Sequence, residues 1–255
     1  MISISKEVWK NYIDGLEKLD TIVKNDVWRY IETHDVDSEE GRNIFIEYCY
    51  GLVTKYGEAA AEFACQMYDA ISELEGASVV FAEPADTASI EDTAKAVNGT
   101  MSNVMRATVT AAAVARLVKM AGQDTTLKNA IRDHAYYAWI PLGDTCAFCL
   151  SIAAEGWKTA TQKALAGGHA KHIHGNCNCS YAIKHLEETE YKAYDPEEYQ
   201  EIFENSEGST EEEKLNSVRR MAYDKNSAKI RAQKRNAYEQ HKELESSEVE
   251  EIDIN

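Results

Sequence analysis

Apolar side chains recur at three- and four-residue steps over long stretches of this 255-residue chain. The first repeat, between residues 6 and 31, consists of Trp9, Tyr12, Ile13, Leu16, Leu19, Val23, Val27 and Ile31. This spacing places one apolar stripe along a helix. The whole chain has only 3 prolines and 13 glycines, which favours long helices over a many-stranded sandwich or barrel. We therefore expect a mainly α (α+β) fold.

A second helix is predicted from Glu39 to Leu74, again from one apolar face. Asp37 and Glu40 have the spacing of a capping box at its start, and Gly76 is placed to end it. Runs of alanine occur in this helix and in the next one, which predicts helix axes that approach closely.

A third helix is predicted after the break at Pro84, with Ser89 and Asp92 as capping residues and an apolar stripe that continues to Ala121. A shorter fourth helix is predicted over residues 126–137. Together these segments define a helical region, residues 1–140.

Six cysteines fall into two groups. Cys49 and Cys65 lie on or near the apolar stripe of the second helix, and cysteine in such a position behaves as a small buried hydrophobe. The other four lie within 34 residues, as a C-x-x-C pair and a C-x-C pair: Cys146, Cys149, Cys177 and Cys179. His174 lies just before the second pair. We expect residues 141–186 to form a Cys/His metal-binding unit.

Zinc suits this set of donors, because thiolates and imidazole converge on it in tetrahedral structural sites. Iron is disfavoured, and magnesium and calcium prefer oxygen ligands. Five residues compete for four positions. If residues 176–182 form a strand, Cys177 and Cys179 share a face and His174 is left out; if the chain turns first, His174 replaces one of them. Three thiolates plus His174 is slightly favoured, with the choice between the two cysteines open.

Catalytic uses of such a cluster are disfavoured by the sequence. A catalytic zinc keeps a position open for water, whereas four or five ligands are available here. A zinc deaminase needs H-x-E before P-C-x-x-C, and that order is absent. A redox C-x-x-C is less consistent with a second cysteine pair, although a short helix is predicted over residues 150–155. A metal-dependent nuclease or hydrolase remains the alternative.

Charge is strongly sorted in the last third of a chain whose net charge is −17 and whose pI is near 4.9. Residues 187–213 carry twelve acids against one lysine, whereas residues 214–242 carry nine basic residues against two acids. Helix starts are predicted at Asp195-Pro196 and at Thr210 to Glu213. We expect a charged helical extension over residues 187–242, whose basic part offers a contact for DNA or an acidic protein, and an acidic disordered tail over residues 243–255.

No stretch approaches the roughly 18 uninterrupted apolar residues of a spanning helix, so no membrane partner is expected. The first ten residues lack a basic region followed by an apolar one, which predicts a protein kept inside the cell that makes it.

The segment from Gly143 to Leu150 (GDTCAFCL) and the segment from His174 to Cys179 (HGNCNC) resemble the Mu F-like head morphogenesis family, the minor head (minor capsid) proteins of tailed bacteriophages. Asn178 stands where that family usually has arginine. The resemblance implies a non-catalytic virion component at the portal vertex or capsid interior, made in the host cytoplasm. On this reading its partners are the portal, the major capsid protein or scaffold, and the protein assists head assembly.

Overall fold

The computed structural model describes residues 2–141, 146–163, 179–192 and 194–221, together with the isolated positions 224, 231, 232 and 235. The chain is mainly α with a few short strands, as predicted. Three long helices form a bundle: α1 (Lys6–Thr33), α2 (Glu39–Glu75) and α4 (Arg106–Arg132). A shorter helix, α3 (Ile90–Asn98), packs against α2 and α4. No helix in the described part of the chain is long and apolar enough to cross a membrane.

The predicted stripe of α1 is confirmed, because all eight of its apolar residues are buried against α2 and α4. Two of them, Val23 and Val27, are fully inaccessible to solvent. Helix α1 is also joined to α4 by a buried ion pair, in which Lys119 Nζ lies 2.8 Å from Asp20 Oδ1. Most of its remaining surface is polar and faces solvent, as an amphipathic helix requires.

The start of α2 differs from the predicted capping box. Ser38, not Asp37, is the N-cap, and its hydroxyl accepts a hydrogen bond from Gly41 N at 3.1 Å. Asp37 instead pairs with Arg106 at the start of α4, 2.6 Å away. The predicted end is confirmed, since Gly76 adopts a left-handed φ of 63°, a conformation that glycine reaches without strain.

The segment predicted as the third helix forms two helices, α3 and α4. The segment predicted as the fourth helix begins as the C-terminal part of α4. The chain leaves helical geometry between α3 and α4, and α4 then continues unbroken to Arg132. His134, with a left-handed φ of 54°, follows the helix, and residues 136–140 form a strand instead of a fourth helix. The prediction of a helix over 126–137 was therefore wrong in its last residues.

The alanine runs pack within the chain, where α2 and α4 make the most extensive contact in the bundle. A Cβ placed on Gly122 of α4 would lie 2.9 Å from the carbonyl oxygen of Ala60 on α2. That distance is too short for a real Cβ, so glycine is required for the two helices to lie this close.

Two small sheets complete the fold. The larger has strand order β3-β2-β4, made of β2 (Tyr136–Ile140), β3 (Lys158–Thr159) and β4 (Ser180–Lys184), all antiparallel. The smaller joins β1 (Ser3–Ile4) in parallel to β5 (Glu190–Tyr191). Strand β4 packs on α4 and α2, so the larger sheet shares its core with the bundle.

Two helices in the acidic part of the chain begin where they were predicted. Helix α5 (Ala147–Ala153) precedes the acidic part. Helix α6 (Pro196–Glu204) lies within it; its N-cap Asp195 accepts from Glu197 N, and its first residue is proline. Residues 211–221 are helical and begin with a reciprocal box, in which Thr210 Oγ1 accepts from Glu213 N and Glu213 accepts from Thr210 N. The predicted continuation to residue 242 and the acidic tail lie largely outside the described residues.

Candidate metal site at one end of the larger sheet

Cysteines of both predicted pairs lie next to the larger sheet. Ile140, the last residue of β2, pairs with Ser180, the first residue of β4, and Cys179 directly precedes Ser180. Helix α5, which carries Cys146 and Cys149, packs on β2. We call this region, formed by α5 and the β2–β4 edge at Cys179, the cysteine end.

The C-x-x-C pair is folded around the first turn of α5. Cys146 is the N-cap, and its sulfur accepts a hydrogen bond from Cys149 N at 3.5 Å. Thiolate is the form of cysteine that binds metal. Cys149 lies within the helix, whereas the sequence predicted a helix that begins after it. The two cysteines of the pair thus lie together at the N-terminus of one helix.

Cys179 is buried and is held by a residue that sequence reasoning missed. Gln123 of α4 donates from Nε2 to the backbone carbonyl oxygen of Cys179 at 3.2 Å. The amide is itself buried, and its Oε1 has no hydrogen-bond partner among the described residues. A glutamine within a helix carries no sequence signal for such a role. It fixes the start of β4 against the bundle.

Electrostatics place the cysteines of the two predicted pairs close to neighbouring tyrosines. Burial raises the pKa of Tyr181, with smaller contributions that include the Cys149 thiol. Burial likewise raises the pKa of Tyr199 on α6, with a smaller contribution from Cys179. Helix α6 is attached to α5 by Gln200, which donates from Nε2 to the Ala154 carbonyl oxygen at 2.9 Å. Tyr181 therefore lies near Cys149, and Tyr199 lies near Cys179.

One carboxylate next to this region is poorly solvated. Asp124 follows Gln123 on α4 and contributes to the electrostatic environment of Tyr181. Burial raises its pKa to about 6, and no cation pairs with it among the described residues. A carboxyl group in such a position is partly protonated near neutral pH.

Two of the five predicted ligands, His174 and Cys177, lie outside the described residues, in the segment 164–178. The neighbouring His169 and His172 lie in the same segment. Within the ranges that the structure describes, no group of three or more His, Cys, Asp or Glu side chains could hold a metal ion. The choice between a four-cysteine site and one with His174 therefore stays a prediction, as does the strand over residues 176–182, of which residues 180–182 belong to β4.

The other cysteine group behaves as predicted. Cys49 and Cys65 of α2 are buried, and Cys49 belongs to the hydrophobic core. Burial raises the pKa of the Cys65 thiol to about 11 and that of the Cys49 thiol further, so both thiols are protonated at neutral pH. At Cys65 the effect of burial outweighs the nearby cations Lys128 and Arg132, so neither thiol has the lowered pKa of a metal ligand or a nucleophile.

The serine–histidine pair of Ser72 and His185 does not have the hydrogen-bond arrangement of a hydrolase. Ser72 Oγ lies 2.8 Å from His185 Nε2, and Ser72 also donates its proton to the Tyr68 carbonyl oxygen at 2.9 Å. Because the Ser72 hydroxyl donates its proton to the Tyr68 carbonyl oxygen, the hydrogen bond to His185 has Nε2 as the donor and Ser72 Oγ as the acceptor. A general base needs the opposite arrangement, with a nitrogen that accepts from the hydroxyl. The pair links α2 to the residues after β4.

Comparison with known proteins places the chain in a phage family. Residues 3–206 match the VG15 protein family, a family of phage gene products, and because the match covers most of the chain, the chain belongs to that family. No curated protein and no solved structure gives a significant match.

Proposed function

We propose that this protein is a structural minor head protein of a tailed phage, which assists head assembly at or near the portal and does not act as an enzyme. It is a component of the virion, in the capsid interior or at the portal vertex, after synthesis in the host cytoplasm. Its partners are the portal protein, the major capsid protein or scaffold. Membership of a phage family over residues 3–206 is the single observation that carries this proposal.

A structural zinc ion completes the proposal. Cys146 and Cys149 would supply two thiolates next to the larger sheet, and two of the three residues His174, Cys177 and Cys179 would supply the remaining ligands. Zinc would tie α5 to the start of β4. Structural zinc contributes folding free energy directly, which suits a region of short elements.

Metal content of the full chain, measured by elemental analysis, tests this site. We expect one zinc per chain in the wild type and a loss of zinc in Cys149→Ser. Cys49→Ser is the matched control, because it removes an equally buried thiol from the core and should leave zinc unchanged. A wild-type chain without zinc, or equal zinc content in both variants, would contradict the site.

X-ray absorption at the zinc edge tests the structural assignment separately. Four protein ligands are expected for a structural site, whereas three protein ligands and one water would favour a metal-dependent nuclease or hydrolase.

The basic segment, residues 214–242, is proposed to contact packaged DNA. Its nine basic residues would release counterions on binding, so affinity should fall steeply with salt. Binding of DNA to the full chain is compared with a variant in which Lys229, Arg231 and Arg235 are changed to Glu. Absent binding, or binding that does not respond to salt and to the substitutions, would leave only a protein partner for this segment.

A further inference from the structure

The segment between α2 and α3, residues 77–89, has neither helix nor strand, yet its middle is held firmly on the bundle. Seven hydrogen bonds join its backbone to side chains of α2 and α4. Asn129, which is buried, makes two of them with one residue, accepting from Glu83 N at 2.9 Å and donating to Glu83 O at 2.8 Å. The amide side chain therefore pairs with the peptide as a neighbouring strand would.

Further bonds hold the segment on both sides of Glu83. Asp69 of α2 accepts from Ala82 N at 2.8 Å, and Thr125 of α4 accepts from Ala85 N at 2.9 Å. Arg132 donates to the carbonyl oxygens of Val80 and Phe81, at 2.7 and 3.1 Å. With these backbone groups satisfied by the bundle, the segment is rigid without being buried.

This rigid backbone presents large apolar side chains to solvent. Phe81 is 81% exposed and Val80 is 66% exposed, and Leu74 at the end of α2 is 52% exposed. A phenylalanine buries on the order of 150–250 Å² when it is fully covered, so leaving it in water forgoes a large stabilisation. Aromatic side chains on a preorganised backbone are typical of the central residues of protein interfaces.

Charge around these side chains indicates what covers them. Glu73 and Asp86 are exposed and have no cation partner in the described part of the chain. Glu73 is close to the segment, because it lies one helical turn after Asp69, whose side chain accepts a hydrogen bond from Ala82 N. The cations next to the segment are matched already, Lys128 with Glu83 at 3.7 Å and Arg132 with Asp133 at 2.7 Å. A symmetric contact between two copies would bring the same acids together, which disfavours a homodimer through this surface.

We propose that Leu74, Val80 and Phe81 form a docking surface for a second protein, one that presents an apolar pocket rimmed by Lys or Arg. Phe81 enters the pocket, and the unpaired carboxylates of Glu73 and Asp86 face the basic rim. This surface is on the bundle and uses none of the residues of the cysteine end. It rests on the proposed function for the identity of the partner, a head protein of the same phage.

The experiment measures binding of the full chain to the portal protein and to the major capsid protein of the same phage. Phe81→Ser is expected to weaken binding by at least about tenfold, since removal of a central aromatic residue commonly costs more than 1.4 kcal/mol. Val104→Ser is the matched control, because Val104 is 84% exposed in the connection before α4, and it should bind as the wild type does. Glu73→Lys should also weaken binding, with a smaller response to salt. Phe81, Val104 and Glu73 are all exposed, so the melting temperatures of the three variants should equal that of the wild type.

The other outcomes separate this inference from the proposed function. If the wild type binds either protein and Phe81→Ser binds equally well, the docking surface is wrong and the proposed function stands. If the wild type binds neither of these proteins and does not bind the scaffold protein of the same phage, both the docking surface and the proposed function are wrong. If Phe81→Ser instead abolishes self-association of the chain in sedimentation experiments, the occupant is a second copy and the proposal of a basic partner is overturned.

Discussion

The bundle and the cysteine end are built on different physical principles. In the bundle, helices of 27 to 37 residues bury continuous apolar faces against one another. At the cysteine end the elements are a seven-residue helix and strands of two to five residues. Short elements bury little apolar area each, so hydrophobic burial alone gives them less stability than the long helices have.

Buried polar groups without partners lie in both regions. In the bundle, Trp9 Nε1 and Thr54 Oγ1 have no hydrogen-bond partner among the described residues. Next to the cysteine end, Gln123 Oε1 has no hydrogen-bond partner and the Asp124 carboxylate has no cation partner within the same residues. The difference between the two regions therefore lies in apolar burial, and metal binding is the further source of stability that the cysteines suggest.

Removal of metal should separate the two regions most strongly. On treatment of the full chain with a chelator, we expect amide exchange in α5 and β4 to accelerate by about a thousandfold or more, because zinc would supply much of the local folding free energy. Amides of α1 and α2 serve as the internal control and should change far less. Equal acceleration in both regions, measured by hydrogen-exchange mass spectrometry, would show that they unfold as one unit.

Lys119→Met tests the buried ion pair of the bundle. We expect a loss of about 3 kcal/mol in the free energy of unfolding, since Asp20 remains buried with only Lys24 beside it. Lys10→Met breaks the exposed Lys10–Asp14 pair of the same helix and should change the free energy of unfolding far less than Lys119→Met does, because solvent screens exposed ion pairs. Urea unfolding measures both, and similar values for the two variants would argue against the importance of burial.

Gly122→Ala tests the close approach of α2 and α4. The added methyl would meet the Ala60 carbonyl oxygen at 2.9 Å, so the helices must separate at a cost of about 1–3 kcal/mol. Gly51→Ala on α2 has open space around the new Cβ and should gain about 0.5–1 kcal/mol from helix propensity. Opposite signs are expected in urea unfolding; a stabilised Gly122→Ala would contradict the packing.

Asp124→Asn tests the cost of the isolated carboxylate. Its pKa in the folded chain, about 6, lies above the ordinary value of 3.8, so the folded state binds the proton more tightly than the unfolded state does. Stability should therefore fall as pH rises from about 4 to about 6 and stay lower above that range. We expect the Asn variant to be more stable than the wild type by about 1–2 kcal/mol at pH 7.5, with the difference lost near pH 4. A pH-independent difference would assign the effect to packing instead.

The sequence predicted best where one side of a helix is uniformly apolar. The stripe of α1 and the left-handed end of α2 at Gly76 follow from spacing and from the special backbone freedom of glycine, and both are confirmed. Asp195-Pro196 likewise marked the start of α6, because these two residues satisfy the first turn of a helix.

Prediction failed in α4 because its buried face contains polar residues. Thr125 and Asn129 are buried yet polar, since they hold the backbone of residues 83–85, and this interrupts the apolar repeat where the helix in fact continues. The apolar residues of β2 then resembled a helical stripe, because a strand buried on both sides has no alternation. At the candidate site, the spacing of cysteines pointed to the region, but the contact of Gln123 with Cys179 depends on tertiary packing.

The pairing of β1 with β5 has a consequence for the order in which the chain is completed on the ribosome. Ser3 and Ile4 are made before their partners, Glu190 and Tyr191, which emerge about 10–40 s later at ordinary rates of translation. Ile4 is almost fully buried in the folded protein, and its strand partner Tyr191 is absent until this later segment has been made. The long helices can assemble during this interval, whereas β1 can pair with β5 only after residues 190–191 have been made.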